Sequence, residues 1–121
     1  MALLNITFKH TNCSKDSRLD DYLAEKLASL EKYVGGETDV KIDVEFEKVA
    51  PHQSGPVFRV EVNFWLAGNL YRGESTKDTF EAAADEVKNE LDQEMRRATT
   101  KRTSLFRRGS RKIKEMMRFG K

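Results

Sequence analysis

The stretch Val40-Lys41-Ile42-Asp43-Val44-Glu45-Phe46-Glu47 alternates apolar and charged residues without a break. In extended backbone, successive side chains point to opposite faces, so Val40, Ile42, Val44 and Phe46 form an apolar face while Lys41, Asp43, Glu45 and Glu47 form a charged one. The alternation predicts a half-buried strand over 39–49, in a sheet with one face covered by protein and the other open to water. After Pro51-His52-Gln53-Ser54-Gly55-Pro56, a run of turn-forming residues, the pattern resumes over 57–67. There Phe58, Val60, Val62, Phe64 and Leu66 oppose Arg59, Glu61, Asn63 and Trp65, as in a hairpin partner. Gly68-Asn69 supplies a two-residue turn into a fourth strand over 70–75. That turn sets Leu66 opposite Tyr71, Trp65 opposite Arg72 and Phe64 opposite Gly73. Trp65 and Arg72 then share the open face, within reach of a cation–π contact.

Working outward, a first strand is read over 3–8, with Leu4, Ile6 and Phe8 on one face and Leu3, Asn5 and Thr7 on the other. Asp16 stands where a helix N-cap belongs. From it Leu19, Leu23, Leu27, Leu30 and Val34 recur at three- and four-residue steps until Gly35-Gly36 supplies a C-cap. A second helix, capped by Ser75 or Thr76, carries the stripe Phe80, Ala84, Val87, Leu91, Met95 and Ala98, which spans roughly 30 Å at 1.5 Å per residue. Ala82, Ala83 and Ala84 permit close approach to the sheet. The predicted order is β-α-β-β-β-α, an α+β fold with two helices packed on the single apolar face of a four-stranded sheet. Thr99-Thr100-Lys101-Arg102-Thr103-Ser104 reads as a polar basic hinge. Beyond it lies a basic amphipathic stretch with Phe106, Ile113 and Met117 on one line, a marginal helix in water that orders on its target. The chain is thus divided into a domain over 1–98 and a basic tail over 99–121.

The 121 residues suit one domain, and their net charge of +2 conceals a polar distribution. From Arg96 to Lys121 there are eleven Lys/Arg and one acid, while residues 1–95 hold eleven Lys/Arg against nineteen Asp/Glu. A block of this kind marks an arm that reads a polyanion through its charge. The single cysteine, Cys13, excludes an internal disulfide and any multi-thiolate metal site, in keeping with a reducing compartment. With no basic leader and no long apolar run, a cytoplasmic location is expected. Catalysis finds no support. His10 and His52 are far apart in sequence and read as surface or turn histidines, with no second ligand at metal spacing. Cys13 stands at no spacing from a histidine that would argue for a nucleophile, no glycine-rich phosphate loop is readable, and the pairs Asp20-Asp21 and Asp85-Glu86 are assigned to solvent faces. The expectation is a non-enzyme with no cofactor, no metal and no small-molecule substrate.

The element order, the start Leu4-Asn5-Ile6-Thr7, the helix from Leu19-Asp20-Asp21-Tyr22 to Leu30-Glu31-Lys32-Tyr33, and Ala82-Ala83-Ala84-Asp85 followed by Leu91-Asp92-Gln93-Glu94-Met95-Arg96-Arg97 resemble the ribosome hibernation-promoting factor and ribosome-associated translation inhibitor family. The similarity covers about residues 3 to 102. It implies a fold like a double-stranded-RNA-binding domain, seated in the decoding channel of the small ribosomal subunit, where it contacts ribosomal RNA and excludes messenger and transfer RNA. Long members continue into a separate dimerisation domain where this chain ends, so the resemblance is to the short form, and pairing of ribosomes through such a domain is not implied. Oligomeric state is not legible.

Physical grounds rank the RNA contacts. Phosphate binding needs accessible Lys or Arg, which places Arg96, Arg97, Lys101, Arg102, Arg107, Arg108, Arg111 and Lys112 first. Lys26 falls between Tyr22 and Tyr33 at the edge of the apolar stripe, either laying its stem along that stripe or meeting phosphate beside an aromatic edge. The resemblance, with a lysine at the matching position, adds slightly to the second reading, while the first keeps the larger share. Lys88, on the flank of the second helix, has the same two readings. The open sheet face, with Asp43, Glu45, Glu47, Glu61 and Glu74 against Lys41, Arg59 and Arg72, is one that phosphate would avoid, and Trp65 among those acids is a poor stacking platform. The alternative function is a peripheral membrane or protein-interaction module whose basic amphipathic tail folds on anionic lipid or an acidic partner.

Overall fold

The computed structural model of the chain describes residues 5–50 and 55–118, and their side chains as far as residue 100. Its elements are β1 (Ile6–Thr11), α1 (Ser17–Ala28), a single 3-10 turn at Glu31–Tyr33, β2 (Val40–Lys48), β3 (Phe58–Leu66), β4 (Asn69–Lys77) and α2 (Phe80–Arg118). The strands form one sheet in the order β1-β2-β3-β4, with β1 parallel to β2 and the other pairs antiparallel. A parallel pair needs a crossover, and α1 provides it.

The alternating residues decide which face the helices cover. Ile42, Val44, Phe46, Val60, Val62, Phe64 and Leu66 are buried in a single cluster with Leu23, Leu27 and Leu30 of the α1 region and Val87, Leu91 and Met95 of α2. Asp16 caps α1 as its position predicts, its carboxylate accepting the Arg18 N–H at 3.0 Å. Phe80, at the start of α2, meets Phe46 and Phe58 edge-on at centroid distances of 5.4 and 4.9 Å. Farther along, α2 presses on β4 at Gly73. A Cβ built there would lie 2.9 Å from Val87 Cγ1 and 3.1 Å from the Val87 carbonyl oxygen. Glu90 reaches the same strand and accepts the Glu74 N–H at 3.0 Å, so part of this sheet edge is satisfied by the helix.

The first helix ends at Ala28, with Ser29 as its C-cap and a separate 3-10 turn beyond it, rather than running to Gly35-Gly36. Four further details differ from the sequence reading. The β3–β4 turn uses Ala67-Gly68, both at positive φ (51° and 81°), which pairs Leu66 with Asn69, Trp65 with Leu70 and Phe64 with Tyr71. Such a two-residue turn matches the twist of the flanking strands, and a slip of two residues keeps every side chain on its predicted face. Trp65 therefore does not meet Arg72, and Lys41 Nζ lies 5.3 Å from the centre of its ring instead. Ser75 and Thr76 belong to β4, and Thr79 opens α2, its Oγ1 accepting the Ala82 N–H at 3.0 Å. β1 begins later than expected and runs to Thr11; the expected residues 3 and 4 lie outside the described residues.

The fourth difference is the expected hinge, through which α2 continues without a break to Arg118. Thr, Ser, Lys and Arg carry modest helix penalties, and basic residues favour a helix C-terminal end. One continuous rod of 39 residues is about 58 Å long. Gly73 supplies the test of the packing: Gly73→Ala is expected to lower the unfolding free energy by about 1–3 kcal/mol in urea denaturation, because the added methyl meets helix backbone that cannot swing aside.

Candidate nucleic-acid interface

The two faces of the sheet differ in chemistry. On the open face Arg59 lies at the centre of a carboxylate ring, with its guanidinium nitrogens 2.9 Å from Glu47, 2.8 Å from Glu61 and 3.7 Å from Glu45, and its Nε donating to Glu74. Arg72 adds a 2.6 Å contact to Glu61. Glu45, Glu61 and Glu74 are neighbours across three strands, a placement that would repel without the interleaved arginines. Burial opposes the charge on Arg59, but hydrogen bonds to Glu61 and Glu74 outweigh it and hold the guanidinium pKa above its ordinary value. Burial likewise opposes the charge on Glu61, and hydrogen bonds from Arg59 and Arg72 outweigh it, holding this carboxyl below the usual carboxylate range. A shallow depression of about 220 Å³ between Thr7, Lys9, Asp43, Glu45, Glu61 and Asn63 is walled by these acids. Arg59 and Arg72 are thus satisfied by acids of their own face, which disfavours phosphate there.

The opposite layer presents cations along the seam between α1 and α2. Lys26 lies 5.3 Å from the Tyr22 ring centre and 3.4 Å from Asp85, whose carboxylate also accepts the Tyr22 hydroxyl at 2.7 Å. One heptad along α2 the arrangement recurs. Asp92 accepts the Tyr33 hydroxyl at 2.7 Å and an Arg96 N–H at 2.8 Å, with Lys32 Nζ at 3.8 Å. Hydrogen bonds from Tyr33 and Arg96 hold the Asp92 carboxyl below its ordinary value, while bonding to Asp85 raises the Lys26 ammonium and bonding to Asp92 raises the Arg96 guanidinium. Lys88 is half-buried on α2 and Arg97 is exposed, neither paired among the described residues. Lys26, Lys88, Arg96 and Arg97 are thus on the helical layer. Lys101, Arg102, Arg107, Arg108, Arg111 and Lys112 follow on the same rod, with side chains outside the described residues.

Sequence reasoning missed the carboxylate partners. Asp85 and Glu86 were expected on a solvent face, yet Asp85 joins α2 to α1 and Glu86 accepts the Ser75 hydroxyl and pairs with Lys77 at 3.2 Å. Asp20 is buried rather than solvated. It bonds His10 Nε2 at 2.9 Å, and the His10 ring stacks on Phe46, so this histidine fastens β1 to α1 and is not a surface residue. The available signals were spacings: Asp85 and Asp92 stand seven apart on one line of α2, and Tyr22 and Tyr33 stand eleven apart, on α1 and on the 3-10 turn after it. His52 lies outside the described residues. Among the described residues no cluster of His, Cys, Asp and Glu could hold a metal, and no helix is long and apolar enough to cross a membrane.

Residues 4–103 match the model of one family, described as Sigma 54 modulation protein / S30EA ribosomal protein. The chain belongs to this family. It is a family of non-enzymatic, ribosome-associated modulators of translation, the class to which ribosome hibernation belongs. Its fold is similar to the crystal structure of the N-terminal domain of Protein Y from Thermus thermophilus, with 27% identity and a TM-score of 0.63 over 78% of this chain and 98% of that one. A ribosomal subunit interface protein from Coxiella burnetii shares the fold at 13% identity and a TM-score of 0.63, over 80% of this chain and 99% of that one. No curated protein matches the chain in sequence.

The open face of this family member yields a pH prediction. Because the Glu61 pKa is depressed when folded, the carboxylate stabilises the protein above about pH 4.5, and that contribution is lost as acidification protonates it. Glu61→Gln is expected to cost about 2 kcal/mol at neutral pH, as for a lost hydrogen bond between charged groups, and to flatten the fall in stability below pH 4.5, both followed by denaturant unfolding.

Proposed function

We propose that this protein is a cytoplasmic translation inhibitor of the hibernation-factor type, which binds ribosomal RNA in the decoding channel of the small subunit and sterically excludes messenger and transfer RNA. The observation that carries the reading is family membership over residues 4–103, together with the likeness to the Protein Y domain across nearly all of that domain. The distribution of charge supports it: the described residues before 99 form a body whose sheet face is acidic, and α2 continues from it into the basic segment as a helical arm as far as Arg118. Lys26, Lys88, Arg96 and Arg97 are assigned to contacts near the body, and Lys101, Arg102, Arg107, Arg108, Arg111 and Lys112 to phosphate contacts along the arm. Occupancy is the whole mechanism. No bond is made or broken, so affinity and shape determine the effect.

The test is cosedimentation with purified small subunits at increasing salt, for the full chain and for one with the six arm cations Lys101, Arg102, Arg107, Arg108, Arg111 and Lys112 replaced by glutamine. Contact with six or more phosphates predicts that affinity falls roughly a thousandfold or more between 50 and 200 mM salt, and that the substituted chain binds more weakly with a shallower salt slope. Flotation with anionic liposomes and no binding to subunits would contradict the proposal and favour a membrane-surface role for the arm.

A further inference from the structure

The seam between α1 and α2 holds its cations against carboxylates that are themselves anchored. Asp85 is fixed by the Tyr22 hydroxyl at 2.7 Å and Asp92 by the Tyr33 hydroxyl at 2.7 Å, so both acids keep their places whatever happens to Lys26 and Arg96. We infer that Asp85 and Asp92 are internal stand-ins for phosphate, positioning residues that hold the seam cations outward, compete with RNA for them, and thereby set how sharply this face distinguishes its ribosomal target from RNA at large. The inference rests on the proposed function, in that it takes the helical layer as the RNA-facing side.

Carboxylate and phosphate oxygens accept the same charge-assisted hydrogen bonds, so one can take the other's place. The cations are exposed enough for exchange: the Lys26 and Asp85 side chains retain 40% and 48% of their accessible surface, and Arg96 retains 63% above an Asp92 that retains 17%. Pairs of this exposure are weak. Arg96 donates one N–H to Asp92 and has further donors in its fork, so it can meet phosphate without releasing its carboxylate. A phosphate arriving at either point also meets a fixed negative charge within a few ångströms. Weak encounters are thereby disfavoured, and a target making many further contacts is penalised proportionately less, which is how a repulsive element sharpens selectivity. The recurrence of the unit at one-heptad spacing, about 10 Å along α2, places this penalty at two successive points of the same face.

The experiment compares the intact chain with Asp85→Asn, Asp92→Asn and the double variant, in titrations against an RNA duplex unrelated to the ribosome and against small subunits. Asparagine keeps the acceptor for the tyrosine hydroxyl and removes only the charge. Each substitution is expected to raise duplex affinity about two- to fivefold and to steepen the salt slope by about 0.9, while small-subunit affinity rises by a smaller factor. Tyr22→Phe and Tyr33→Phe keep the carboxylates and loosen the seam, so they are expected to lower the melting temperature without raising duplex affinity. Duplex affinity unchanged or reduced in the folded asparagine variants would overturn the inference. An equal gain from the phenylalanine variants would also overturn it, since loosening and not charge would then be the cause. Failure of the unsubstituted chain to bind small subunits would overturn the proposed function instead, with the duplex comparison still deciding the role of the two carboxylates.

Discussion

Close contact between α2 and the inner face of the sheet, at a separation that only a glycine at position 73 allows, is the constraint on which the rest depends. With Val87 against Gly73 and Phe80 between Phe46 and Phe58, the second helix lies flat on β3 and β4. α1 covers the β1–β2 side through the same core, and nothing in the described chain covers the other face. A half-buried sheet follows, and with it the division of labour between faces. A helix seated this firmly can also carry a long extension, because the buried stripe from Phe80 to Met95, about four turns, fixes its direction before the basic segment begins.

Electrostatics then sorts the two sides. On the sheet face, acids from three strands converge on Arg59 and Arg72, and these two cations are satisfied within the face. Along the helical seam the same types of residue are arranged the other way, with anchored aspartates and long cations that extend past them into solvent. A total charge near zero therefore reports neither side. Under the proposed mode of action, the filling of a channel, this asymmetry would supply orientation, with phosphate drawn to the helical side and long-range attraction concentrated on the arm.

Much of the architecture was legible because its signals were local. Alternation over Val40–Glu47 and Phe58–Leu66, the cap at Asp16 and the stripe from Phe80 to Met95 are each written in one short segment, and each survives in the fold. What failed depended on comparing near-equal alternatives. Ala67-Gly68 and Gly68-Asn69 both make two-residue turns, and the one adopted puts Ala67 at positive φ, a local cost that the strand pairing of the whole hairpin outweighs. The segment after Ala98 looked like a hinge because it is polar, although polarity without Gly or Pro does not end a helix already propagating. The candidate site was legible as a list of cations but not as a geometry. Tyr22–Asp85, Tyr33–Asp92 and His10–Asp20 join residues distant in sequence, and no single segment records such a pairing.

The most direct measurement of the orientation is hydroxyl-radical cleavage of ribosomal RNA from an iron chelate tethered at one position at a time, in chains whose Cys13 is replaced by serine. A chelate at Glu25→Cys, exposed on α1 beside Lys26, tests the helical layer, and one at Thr76→Cys, exposed on the open face of β4, tests the sheet. Steric occupancy by the helical side predicts strong cuts in small-subunit RNA from position 25 and weak or absent cuts from position 76. Strong cleavage from position 76 with none from position 25 would contradict it.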